Sequence, residues 1–217
     1  ASVAADASLI ANAPHLPVHL GSMSFAVKYQ ADHLHELGQG SFKRGDVVLA
    51  NHPSAGGSYL PDMTCITPVF APDRDEIIFF TASRGHHADI GGILPGSMPP
   101  NSTNIFEEGA QIRSFKIVSE GVYDRDGLVR VLVDEPSKYA GCSGTRCLRD
   151  VESDLKAQIA ANHKGIQLLN DLVEEWSLET VQTYMTHIRE NAELSVRNLL
   201  RRVAAIQNAT ELHAIDY

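Results

Sequence analysis

From Val47 to Ala50 the chain reads Val-Val-Leu-Ala, an unbroken apolar run closed by Asn51-His52-Pro53. Such a run, opened by Gly45 and ended by a proline, predicts a short strand buried on both faces. Two more β-branched runs follow, Met63 to Phe70 and Glu76 to Ser83, with Ala-Pro-Asp-Arg-Asp between them as a hairpin connection. Upstream, Leu20, Met23, Val27 and Leu34 lie near helical spacing, with Gly38 as a stop. Downstream, the segment from Ser114 to Asp124 predicts a strand and turn, and Gly141 to Cys147 a loop. From Asp150 the pattern becomes helical, with Leu155, Ile159, Ile166, Leu169 and Val173 on one stripe. Ser177 is the expected N-cap of a last helix. That helix carries Leu178, Met185, Ala192, Leu199 and Ile206 at seven-residue spacing. Its companion seam, Val181 and Ile188, decays into Ser195 and Arg202, which favours an amphipathic helix packed on its own domain over a coiled-coil arm. The reading is an α+β chain: strands and motif-bearing loops over residues 1–149, long amphipathic helices over 150–210.

Composition narrows the class without naming it. A chain of 217 residues, 43% hydrophobic and 21% charged, is that of a globular protein with one real core or two small ones. A net charge of −9, with no basic run longer than two residues, argues against nucleic acid as a partner. No apolar run approaches the roughly 18 residues of a membrane span, and no signal-peptide pattern is present. Cys65, Cys142 and Cys147 are odd in number and form no C-x-x-C pair, so reduced thiols in a cytosolic protein are expected. Ala1 is not an initiator methionine, and Glu211 to Tyr217 read as a strand with nothing after it to pair with, so an excerpt of a longer polypeptide is expected.

Candidate chemistry concentrates after strands. In ANHPSAGGSYLPD, His52 ends one strand and Asp62 begins the next across Gly56-Gly57; in SRGHHADIGGILPGSMPP, His86, His87 and Asp89 crowd one stretch. Gly91, Gly92, Pro95, Gly96, Pro99 and Pro100 rule out an ordinary helix there, and a rigid loop from Ser83 to Pro100 is expected. Imidazole and carboxylate are ligands for zinc, manganese or iron. They are equally a general base and the group that orients it, and the glycines could form an anion-binding nest. The competing reading is structural: a His-His pair and glycine turns commonly satisfy only the fold. Neither a G-x-S-x-G elbow nor a phosphate-binding G-x-x-x-x-G-K-[ST] loop occurs.

The segments NAPHLPVHLGSM, GDVVLANHPSAGGSYLPD, ASRGHHADIGGILPGSMPP, GCSGTRCLRD and SDLKAQIAANHKGIQLL closely resemble the hydantoinase B family. The Asn51-His52-Pro53 and Gly141 to Arg146 segments resemble its oxoprolinase branch. The resemblance runs from about Leu9 to Tyr217 and implies a partial hydantoinase B-type domain over 1–217. It further implies ATP-driven opening of the cyclic amide 5-oxoproline to glutamate. ATP would be bound by a separate hydantoinase A-type portion, expected as partner, and homo-oligomerisation is expected too. Carried over residue by residue, Asp62, His86 and Asp89 would hold a divalent metal, with His87 or His52 as base toward water and Gly91-Gly92 backbone groups on the phosphorylated substrate. Tyr59 stands where the family has a histidine. That implies weaker metal binding, ligation as a phenolate, or an impaired copy, and the sequence does not choose among them. Two rivals are a hydantoin-acting or carboxylase-type subunit and a non-catalytic assembly module.

Overall fold

The computed structural model describes residues 1–13, 19, 21–96, 99–208 and 211. The expected strand at the C-terminal end and the helical position of Leu20 lie outside these residues. The chain divides into two compact units, residues 1–171 and 172–217, and no helix is long and apolar enough to cross a membrane.

The first unit is built on one antiparallel sheet. Its strands are β1 (Ser2–Ala4), β2 (Leu9–Ala11), β3 (Val47–Ala50), β4 (Asp62–Phe70), β5 (Ile77–His86), β6 (Phe115–Ser119) and β7 (Val122–Tyr123). The sheet order is β2-β1-β5-β4-β3-β6-β7. The expected β4–β5 hairpin forms its centre, with nine register pairs from Asp62↔His86 to Phe70↔Ile77. The strand expected to stop at Ser83 runs on to His86, so Ser83 to His86 are strand rather than loop. Pairing with Asp62 to Thr64 supplies the ladder that the polar residues there do not announce.

Period-2 alternation gives the sheet two apolar faces. On one lie Ile66, Phe80 and Ala82, covered by Met23, Ala26 and Val27 of α1 (Ser22–His33). On the other lie Met63, Cys65 and Ile117, covered by Leu128 and Leu132 and by Val151, Leu155 and Ile159 of a long helix. Leu128 belongs to the short helix α2 (Arg125–Val129), which runs into a π-helical turn at Arg130–Asp134; the long helix is α3 (Leu148–Trp176). Each fully buried aliphatic or aromatic side chain here contributes about 1.5–3 kcal/mol relative to exposure. Two polar residues of α3 also bind the sheet: Gln158 donates to the carbonyls of Met63 and Ser83, and Asn162 to that of Cys65.

In the second unit, Ser177 caps α4 (Leu178–Gln207) as expected, its hydroxyl accepting from the Thr180 N–H. Within α4 only Val181 and Met185 are buried. Ile188, Leu199 and Ile206 of the two expected seams are exposed, so the helix does not bury its stripe along its length.

Candidate functional site

The two adjacent histidines are separated by the pleat. Asp62, Thr64 and Ile66 pair with His86, Arg84 and Ala82 across β4 and β5, and this set shares the face covered by α1. His87, one residue on, belongs to the face of α3. The pairing Asp62↔His86 therefore places carboxylate against imidazole: His86 Nδ1 lies 2.7 Å from Asp62 Oδ1. Asp62 is 1% exposed while the His86 side chain is 48% exposed. A carboxylate only accepts, so Nδ1 carries the proton in this contact, and the neutral ring keeps its lone pair on Nε2.

The second oxygen of Asp62 is held just as firmly. It accepts from the Ser58 hydroxyl at 3.0 Å and the Tyr59 backbone N–H at 3.3 Å, with His19 Nε2 at 3.9 Å. Ser58 is within 3.2 Å of His19 Nδ1 and accepts from Arg84 Nη1 at 3.2 Å. Arg84 also donates to Thr64 Oγ1, Ser22 Oγ and the Gly56 carbonyl. Burial lowers its pKa from the ordinary arginine value, while Asp62 opposes the shift. A buried, positively backed network thus fixes one carboxylate, and that carboxylate orients one solvent-facing imidazole. Such an arrangement can take a proton from water or return one to a leaving nitrogen.

The other expected base residues are placed differently. His87 is 2% exposed. Its Nε2 meets the Gln158 side-chain oxygen at 2.9 Å, and its Nδ1 has no partner. Burial lowers its pKa, with Gln158 and nearby acids opposing, so the ring is kept neutral and away from solvent. His52 caps the 3-10 turn Pro53–Ala55: its Nδ1 accepts from the Ser54 N–H at 3.1 Å. That leaves its proton on Nε2, a donor rather than a base.

Asp89 does not join Asp62. It is 6% exposed, and one oxygen accepts from Gly91 N and Arg146 Nη1 while the other accepts from Arg146 N. Arg146 continues to the carbonyl of Gly92, and Thr145 donates to the Asp89 carbonyl. Gly91 has φ +89°, and a Cβ there would lie 2.6 Å from the Gly144 backbone. A Cβ on Gly92 would lie 2.6 Å from the Glu107 carbonyl. The expected substrate glycines are therefore buried where two loops touch backbone to backbone, and the Gly141 to Arg146 segment locks the loop after β5.

The implied metal can be tested on these contacts. Of the expected ligands Asp62, His86, Asp89 and Tyr59, only Asp62 and His86 meet. The oxygens of Asp89 are already taken by Arg146 and Gly91, and Tyr59 reaches Asp62 through its backbone. Among the described residues no three His, Cys, Asp or Glu side chains converge as ligands would. The set does not fit a shared ion, and the chemistry below rests on the imidazole and carboxylate alone.

A histidine presented to solvent by a buried aspartate, at the end of an antiparallel sheet, is an arrangement suited to acid–base chemistry. The chain belongs to the Hydantoinase B/oxoprolinase family, whose model matches residues 1–217. It is 49% identical over 209 residues to the 5-oxoprolinase of Saccharomyces cerevisiae, covering 96% of this chain and 16% of that protein. To 5-oxoprolinase 1 of Arabidopsis thaliana it is 52% identical over 201 residues, covering 92% of this chain and 15% of that protein. The crystal structure of ATP-dependent caprolactamase from Pseudomonas jessenii superposes with a TM-score of 0.71 at 30% identity, covering 85% of this chain and 29% of that one. The chain thus spans about a sixth of the length of these two 5-oxoprolinases.

Sequence reasoning passed over His19, Ser58, Arg84, Gln158 and Arg146. Two of them carried a signal: Arg84 as a charged residue two positions before His86 and so on the same face of an extended β5, and Arg146 as the end of the Gly141 to Arg146 segment.

Proposed function

We propose that this chain is the part of an ATP-dependent 5-oxoprolinase that hydrolyses the phosphoryl-activated cyclic amide of 5-oxoproline, giving glutamate. The observation that carries the reading is the contact between buried Asp62 and half-exposed His86. The identity of about half with two proteins named 5-oxoprolinase supplies the substrate class. ATP binding and lactam phosphorylation belong, in this reading, to a hydantoinase A-type portion acting as partner.

Phosphorylation on the lactam oxygen makes the ring carbon electrophilic. Water adds to that carbon, and His86 Nε2 accepts its proton. Asp62, holding Nδ1–H, stabilises the imidazolium and keeps the ring aimed outward. The tetrahedral adduct breaks its C–N bond, and the departing nitrogen takes the proton back. Ring opening leaves an acyl phosphate, which a second water cleaves to glutamate and phosphate. Tyr59 stands beside this pair through its backbone N–H, which Asp62 accepts.

The test is glutamate formation from 5-oxoproline and ATP by the intact protein carrying His86→Asn or Asp62→Asn. Loss of about 10²–10⁴-fold in kcat is expected for His86→Asn, with a large loss for Asp62→Asn. Turnover within a fewfold of the parent in both variants would refute the assignment.

A further inference from the structure

A cavity of about 580 Å³, within the usual range for small-molecule sites, is lined in part by Leu37, Gln39, His52, Gln111, Arg113 and Arg130. None of its lining residues is Asp or Glu. That is unusual in a chain of net charge −9. Elsewhere in the first unit cations face acids, as Lys43 does Glu120, Lys116 Asp46 and Arg125 Glu152. Arg113 and Arg130 make no ion pair among the described residues. The Gln30 side chain donates to the Arg113 carbonyl at 2.7 Å and pins the backbone that carries this guanidinium. His52 adds a donor: with Nδ1 engaged by Ser54, the neutral ring bears its hydrogen on Nε2. Burial first, and the Arg113 charge second, lower its pKa and favour that neutral form.

We propose that this cavity binds the anionic group of a small ligand, a carboxylate or a phosphoryl group, through the Arg113 and Arg130 guanidiniums and His52 Nε2–H. Guanidinium forks match the oxygens of either group bidentately, and an acid-free concavity concentrates their field. The location is apt. His52 follows β3, Arg113 precedes β6, Asp62 begins β4 and His86 ends β5, so all four stand at one end of the sheet. From β3 to β5 is two strand spacings, roughly 10 Å, within the reach of one substrate and its phosphoryl group. That this anion belongs to phosphorylated 5-oxoproline rests on the function proposed above; the anion site itself does not.

Calorimetric titration of the intact protein with orthophosphate, and separately with 5-oxoproline, tests the site. At least one of the two should bind. The double variant Arg113→Gln, Arg130→Gln should weaken that binding by about tenfold or more, the scale of one lost charge-assisted hydrogen bond. Both arginines are exposed, so the variant should keep its thermal midpoint. Arg113→Lys, which keeps the charge and loses the fork, should fall between the two. Phosphate binding alone assigns the site to a phosphoryl group, 5-oxoproline binding alone to a carboxylate. No binding of either anion to the parent, or equal binding by the double variant, would overturn the proposal. His86→Asn should leave anion binding intact. Full turnover by His86→Asn would defeat the functional reading while leaving the anion site standing.

Discussion

On the α1 side of β5, His86 meets a buried carboxylate on one edge and solvent on the other; on the α3 side, His87 meets an amide and then no polar partner at all. These residues are neighbours in the chain with the same side chain. The pleat alone sends them into opposite environments, because a strand alternates its side chains between faces. The α1 face gathers charge (Arg84, Asp62, His19) around a reachable imidazole. On the α3 face Gln158 and Asn162 satisfy carbonyls, and the polar groups serve packing. A His-His pair in a family motif is therefore two residues with two duties.

The largest effect that would break this contrast is catalytic. His86→Asn should cost about 10²–10⁴-fold in kcat, whereas His87→Gln should leave kcat within a fewfold and lower the thermal midpoint instead. Parallel assays of glutamate formation and thermal unfolding check both. A His87→Gln protein that is well folded but inactive would erase the distinction between the faces.

The next effect concerns the lock behind the site. Asp89→Ala leaves Arg146 without its carboxylate and removes the acceptor of the Gly91 N–H. With Arg146 partly exposed and so partly screened, a loss of about 2 kcal/mol is expected. For a chain of this size that lowers the thermal midpoint by roughly 4–8 °C. Metal content, measured on the same preparation, should not respond. A drop in bound metal with an unchanged midpoint would restore Asp89 as a ligand. Gly91→Ala should act in the same direction, by about 1–3 kcal/mol, because φ +89° strains any side chain and the Cβ meets the Gly144 backbone.

Much of this architecture is written in local pattern. The runs at Val47, Met63 and Glu76 are strands, the helix stripes are helices, and Ser177 is a cap. Two kinds of feature are not. Strands β1 and β2 have three residues each, too few for periodicity, and exist because β5 offers β1 an edge. The last turn of β5, Arg84-Gly85-His86, is polar and contains glycine, so it reads as loop until Asp62 and Thr64 pair with it. Missing those residues hid the alternation that separates His86 from His87. It also let Asp89 look like a companion of Asp62, when its partner is Arg146, 57 positions away. Contacts over such separations leave no mark on a single sequence.

The smallest expected effect sharpens the contrast through pH. Burial lowers the pKa of His87 below the ordinary histidine value of about 6.5, so its neutral form is the one the fold accommodates. The unfolded chain then binds more protons than the folded chain once the pH falls to the unfolded value or below. Stability is greatest above that value and declines as pH falls through it toward the folded pKa. His52, with its pKa also lowered, contributes in the same sense, so its effect must be separated. Denaturant unfolding of the parent, His87→Gln and His52→Gln at pH 7.5, 6.5 and 5.5 does this. The His87→Gln protein should be less stable at pH 7.5, since it loses a fitted ring, yet show a shallower decline toward pH 5.5 than the parent. Parallel stability curves for parent and variant would mean that His87 is open to protons in the folded state, and the division between the two faces of β5 would not hold.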